Sequence, residues 1–322
     1  MSLAGHQDKK NIKRLTNMKK TFLALIALVA ITACSKDEVI KVGHEEISFG
    51  NVFIDNSTKA TDPSYGTNGV ELTKFNVYGT VQGTANRVVI YSGEEVTGSV
   101  GANVWSCTKT QYWIPDASYN FAALVDVPDA DITNRTNDLP TSFKYDVSTQ
   151  KDVLYATATA TGAVSGNQPV NFTFDHLLAK AFFTFTNTDA NANLTVTDIQ
   201  ISGLRQNGIY TVGAATPWAA TDNVDYTQGF SENGSTIAAG QTATNEYERL
   251  ILPGTYNLTI SFKVNDDKDG KEQEISATIE NQTFAAGHVY NFTAEIKSGV
   301  KYIEFTIVSN DWTSDGDTNI QG

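Results

Sequence analysis

From Glu45 to Val308 the chain is a succession of short runs in which apolar and polar residues alternate, cut at brief intervals by Gly, Asn, Asp and Ser. Alternation with a period of two places successive side chains on opposite faces of a strand, and no stretch sustains the period of about 3.6 that a helix requires. Only His176–Ala181 reads as a short helical turn. Strands are expected at Glu46–Ile54, Phe75–Val81, Arg87–Tyr91, Asn103–Trp113, Tyr119–Val125, Val170–Phe174 and Ala181–Thr186. The series continues at Asn193–Ile201, Gly208–Val212, Glu248–Leu252, Thr255–Asn265, Lys271–Glu280, Val289–Ile296 and Val300–Val308. Many short strands separated by turn residues define an all-β chain of sandwiches or barrels. Thr255–Asn265 and Lys271–Glu280 flank Asp266-Asp267-Lys268-Asp269-Gly270, a hairpin in which Gly270 supplies the positive-φ position.

The chain has 322 residues, enough for two domains with cores of their own. The small, polar stretch Thr161–Pro169 divides the strands into two comparable sets, so the expected arrangement is two β-sandwiches in tandem, 34–167 and 168–322. Thr216–Thr236 reads as an elaborated loop of the second. Thirty-six acidic against 23 basic residues give a net charge of -13, which excludes nucleic acid as a partner because phosphate affinity comes from Lys and Arg. Two cysteines make no disulfide scaffold, and four histidines leave little for a metal site, so no metal or cofactor is expected.

Residues 1–33 are read as export signal. Thr21–Ile31 is an eleven-residue apolar run behind Met18-Lys19-Lys20, too short to span a bilayer. Residues 1–17 precede the natural start expected at Met18. Ile31-Thr32-Ala33-Cys34 resembles a bacterial lipobox, which makes Cys34 the acylated first residue of the mature protein. Acyl chains contribute about 0.8 kcal/mol per buried methylene and anchor such a chain to the outer membrane. Lys36-Asp37-Glu38 resembles the acidic tag of surface-exported Bacteroidetes lipoproteins; a plain solvated tether is the alternative. Cys107 is then the remaining thiol, in a strand context that suits a buried, inert side chain.

Catalytic patterns are missing from the sequence. It contains no Gly-x-Ser-x-Gly elbow, P-loop, His-Glu-x-x-His or Cys-x-x-Cys, so an enzyme is not expected. His44, His176 and His288 stand far apart and read as hydrogen-bonded structural residues. The acids of Asp266–Asp269 and of the tail (Asp311, Asp315, Asp317) lack the spacing of a calcium loop and read as solvated turns.

Four segments carry a family resemblance. Gln111-Tyr112-Trp113-Ile114-Pro115 with Tyr119-Asn120-Phe121-Ala122-Ala123 resembles the "YWP … y-F-A" segment of the Bacteroidales fimbrillins, the type V pilins. Asp152-Val153-Leu154-Tyr155-Ala156 resembles their "D-lLyA" strand, and Val170–Lys180 their "V-F-H-lLak" segment. Ile303–Val308 followed by Asn310-Asp311-Trp312 resembles the terminal "V-x-dW" strand. The resemblance implies two transthyretin-like β-sandwich domains and a lipoprotein pilus subunit serving adhesion on the cell surface, in a fimbrium. It also implies clipping by a trypsin-like protease after the first strand, and filling of the vacated groove by the carboxy-terminal strand of another subunit. Such exchange is β-augmentation, with strength from backbone hydrogen bonds and register from alternating side chains.

On that scheme the removable first strand is Glu46–Ile54, with Ile47, Phe49 and Phe53 on its inward face. The cut falls at Lys59-Ala60, the one basic site of Asp55–Tyr65, where the family usually carries Arg; an ordinary loop lysine is the alternative. The donor is Val300–Val308, with Ile303, Phe305 and Ile307 on one face, unless it is the permanent last strand of its own domain. Partners are other pilin subunits, the processing protease, the outer membrane and a host or bacterial surface ligand. The rival reading is a surface glycan-binding lipoprotein, whose aromatic platform would be Trp218, Tyr226 and Phe230.

Overall fold

The structure, a computed structural model, describes residues 45–54, 64–65, 70–83, 86–99, 105–223, 225–230, 234–244, 248–268 and 270–312. It is almost entirely β. In the first lobe the sheet runs, in spatial order, Phe49–Ile54, Val170–His176, Leu154–Thr161, Ser118–Val125, Lys74–Gln82, Arg87–Thr97 and Ser106–Cys107. The first two strands are parallel and the rest pair antiparallel. The sheet folds over on itself, and the first strand joins its ends. Phe49 bridges to Trp105 beside the last strand of the order, and Glu46 bridges to Tyr112. Closure of this kind removes the open edges that sheets otherwise expose. Inside lie Phe49, Phe75, Tyr91, Trp105, Trp113, Phe121, Phe172 and Phe174, all buried.

The second lobe is two sheets face to face. One carries Thr242–Thr244, Ala179–Asn187, His288–Ile296 and Thr306–Asp311, with Arg249–Ile251 also paired to Ala179–Asn187. The other carries Tyr226–Gly229, Leu194–Leu204, Gly254–Asp266 and Glu272–Phe284, with Ser235–Ile237 beside Leu194–Leu204. Leu194–Leu204 alternates buried and solvent-facing residues along most of its length, as a strand with one covered face must. The expected hairpin forms, with Asn265 opposite Glu272 and Gly270 at φ +64°.

The lobes are not strung on a linker. Ile132–Thr136 and Leu139–Asp146 from the first half form a four-stranded sheet with Asn207–Thr211 and Trp218–Ala220 from the second. A third apolar cluster fills this seam, drawing Tyr78, Leu124, Phe143 and Val153 from one side and Leu178, Phe182, Leu250 and Val289 from the other.

Three local expectations give way. Val170–His176, placed after the Thr161–Pro169 divide, completes the first core, because Val170, Phe172 and Phe174 point into it from beside the first strand. His176–Ala181 holds no helical turn; one strand ends at His176 and the next begins at Ala179. Of Asn103–Trp113, the described residues form a ladder only at Ser106–Cys107, and Trp105 and Trp113 serve as buried plugs.

Candidate assembly site

The first strand is gripped from both sides. On one side the Ile47 N–H donates to the Gln111 carbonyl at 2.8 Å, while the Trp105 and Trp113 N–H groups donate to the carbonyls of Phe49 (3.1 Å) and Glu45 (2.9 Å). On the other, the Val170 N–H donates to the Ser48 carbonyl at 2.8 Å, and the ladder continues to Ile54 opposite Phe174. Phe49, 1% exposed, sits in a nest of four rings, Phe75, Tyr91, Phe121 and Phe172, with centroids 5.6–6.4 Å away. Glu45 fastens the entry by accepting from the N–H groups of Gly166 and Asn167 (both 2.7 Å) and from Asn167 Nδ2 (2.8 Å). Those backbone N–H groups hold its carboxyl below its ordinary pKa.

Alternation along this strand is broken once. Between Phe49 and Val52 the strand advances three residues while its partner advances two, from Val170 to Phe172. That bulge resets the faces. Ile47, Phe49, Val52 and Ile54 are buried, whereas Phe53, expected on the inward face, is only half-buried opposite the exposed Thr173. Gly50 makes the bulge possible, since a Cβ there would stand 2.4 Å from Asn171 Oδ1 and 2.8 Å from Pro169 Cβ. The clue available in the sequence was Gly50-Asn51 itself, with apolar residues resuming one position out of phase.

The carboxy-terminal segment is held differently. The strand is Thr306–Asp311, paired among the described residues on one side only, with His288–Thr293; Val300–Phe305 precedes it outside any strand. Ile303, Phe305 and Ile307 all face the second core, each half-buried. Phe305 lies against Phe183, Phe185, Phe262 and Phe292, with centroids 5.7–6.4 Å away. Trp312, 2% exposed, fastens the end of the segment. Its indole stacks on His176 (3.8 Å, 7° between planes) and lies 4.5 Å from Lys180 Nζ, and the Trp312 backbone N–H donates to the Gly287 carbonyl at 2.7 Å. His176 Nδ1 is 2.6 Å from Asp152 Oδ2, both side chains fully buried, and Lys180 pairs with Glu248 at 3.1 Å.

The sequence model of the fimbrillin-like family matches residues 16–312. The chain belongs to the fimbrillin-like family. Its fold is similar to that of a fimbrial protein from Bacteroides vulgatus (TM-score 0.60, 14% identity, covering 83% of this chain and 99% of that one). It is also similar to proteins named for cell adhesion from Bacteroides uniformis (0.55, 18%, 84% and 100%) and Bacteroides ovatus (0.55, 15%, 84% and 99%). No curated protein sequence matches. In this fimbrillin-like chain the resemblance segments converge. Asp152, His176 with Lys180, and Trp312 come from three of them and meet at the seam, while Trp113 and Tyr119 of the fourth pack edge to face at 4.7 Å beside the first strand. No local pattern marks the Asp152–His176–Trp312 contact, because its members are 24 and 136 residues apart.

Other expected residues fall elsewhere. Cys34, Lys59, Ala60 and His44 lie outside the described residues. The glycan platform does not assemble: Phe230 is fully buried in the second core, the Trp218 indole donates to the Leu177 carbonyl at 2.7 Å in the seam, and Tyr226 is half-buried with its hydroxyl on Gln228. Phe230 offers no exposed face, and Trp218 and Tyr226 are each half-buried by packing. The Cys107 thiol is free and half-buried, and burial raises its pKa, the opposite of what a nucleophile needs.

Proposed function

We propose that this fimbrillin-like chain is a pilus subunit, exported as a lipoprotein through Cys34 to the outer membrane and assembled on the surface by strand exchange. A trypsin-like protease cuts at Lys59-Ala60 and releases the first strand. The groove left in the first lobe then accepts the carboxy-terminal segment of another subunit, and the fibre serves adhesion to a host or bacterial surface.

One observation carries this reading: among the described residues the first strand alone joins the two ends of the first-lobe sheet, with backbone partners on both sides and four buried side chains. Its loss uncovers an extended groove and burial worth roughly 1.5–3 kcal/mol per side chain, an upper bound. A strand of similar character would satisfy the exposed backbone groups and refill the apolar groove together. The matching donor is the half-buried segment at the other end of the chain. Limited trypsin treatment of the purified protein should yield a ladder of SDS-resistant multimers starting from a product cut near Lys59. A clean cut there that leaves only monomers rejects the proposal.

A further inference from the structure

The bulge in the first strand makes its inward residues unevenly spaced: Ile47, Phe49, then Val52 and Ile54. The same spacing read from Ile303 gives Ile303, Phe305, Val308 and Asn310. Three of the four inward residues are identical, and Asp311 follows where Asp55 follows in the first strand. The two phenylalanines also occupy like surroundings, each ringed by four aromatic side chains at nearly the same distances. Phe305 is only half-buried at home, whereas Phe49 is buried completely, so the groove offers Phe305 more cover than its own lobe does.

Resting on the strand-exchange reading, we propose that the donor from a second copy of this chain enters in the direction of the strand it replaces. Ile303, Phe305 and Val308 take the places of Ile47, Phe49 and Val52. The donor then runs parallel to Val170–Phe174, with Phe305 opposite Val170, Val308 opposite Phe172 and Ser309 opposite Thr173. The segment uses two faces. At home Ile307 joins Ile303 and Phe305 on the core, and in the groove Val308 replaces it while Ile307 takes the half-exposed place of Asn51. Two positions fit less well. Thr306 stands where Gly50 lies against Asn171 and Pro169, so the exposed Asn171 side chain must turn aside and the donor backbone must stand off from the Pro169 ring at that position. Lys301 stands where Glu45 caps Gly166 and Asn167, and that cap is lost.

A cysteine pair reads this register. In the full chain carrying Cys34→Ser and Cys107→Ser, Thr173→Cys with Ser309→Cys places two thiols opposite each other on neighbouring subunits. Paired strands lie about 4.8 Å apart, within the reach of a disulfide. After trypsin treatment and mild oxidation, boiled non-reducing gels should show a covalent ladder that collapses on reduction. Thr173→Cys with Val308→Cys reports a donor without the bulge, and should stay unlinked. Multimers that link through Val308→Cys instead, or through neither pair as an antiparallel donor would, overturn the register while leaving strand exchange standing. No multimers at all sinks both. Independently, Val308→Asp should cut multimer yield by at least about tenfold through a buried charge, with Ile307→Asp far milder. The reverse order would also overturn the register.

Discussion

Among the described residues, the first and last segments share three of the first segment's inward residues in the same spacing and are opposite in attachment. The segment Glu45–Ile54 is hydrogen-bonded to Val170–Phe174 along one edge and, at Glu45, Ile47 and Phe49, to Trp113, Gln111 and Trp105 along the other, and it contributes buried side chains along most of its length. Thr306–Asp311 is bonded along one edge, contributes half-buried side chains at best, and is fixed at its tip by Trp312. A strand that closes a sheet is costly to remove, because both rows of backbone groups lose their partners at once. An edge strand held by its last residue can peel away once that residue lets go. The first is held firmly in place, and the second is held chiefly at its tip.

That contrast yields its largest test at the two phenylalanines. Phe49→Ala should lower the stability of the first lobe by about 3–5 kcal/mol in urea unfolding, the cost of emptying a closed aromatic nest. Trp312→Ala should cost about 3 kcal/mol, and its sharper readout is faster hydrogen exchange throughout Thr306–Asp311, with Trp312→Phe recovering part of the protection. Phe305→Ala should cost only about 2–3 kcal/mol, since its ring is only partly buried to begin with. Equal losses at Phe49 and Phe305 would erase the distinction between plug and strap. Smaller still, Val52→Ala should cost about 1–2 kcal/mol while Phe53→Ala stays within about 0.5 kcal/mol; the opposite ranking would mean that the bulge is misplaced.

The gentlest test concerns the entry of the first strand. Glu45 has its pKa lowered by the Gly166 and Asn167 N–H groups, so what it contributes is present above its unfolded pKa and is lost as pH falls through the lower folded value. Exchange of the Gly166 and Asn167 amides should therefore accelerate as the solution is acidified below the ordinary carboxylate range. In Glu45→Gln that pH dependence should vanish, whereas an unchanged profile would remove Glu45 from the entry.

Strand positions were legible because alternation is a local signal, and most runs needed only extension at their ends: Phe75–Val81 lies within Lys74–Gln82, and Thr255–Asn265 within Gly254–Asp266. What escaped depends on neighbours distant in sequence. The inward face of the first strand turns on Gly50 packing against Pro169 and Asn171, more than a hundred residues on. Val170–His176 looked like the opening of a second domain because the polar stretch before it reads as a linker. Its side chains belong to the first core because their parallel partner is Phe49–Ile54. Leu139–Asp146 went unread altogether, since its inward residues serve a seam shared by both lobes.

The seam has a mechanical meaning. In a fibre built by the proposed strand exchange, tension would enter one lobe through the incoming strand and leave the other through the outgoing one, and so would cross between the lobes inside every subunit. There it meets the ladder of Leu139–Asp146 with Asn207–Thr211, backed by Phe143 stacked on Tyr210. On that proposal each subunit would act as a stiff link, and the fibre would bend at its joints.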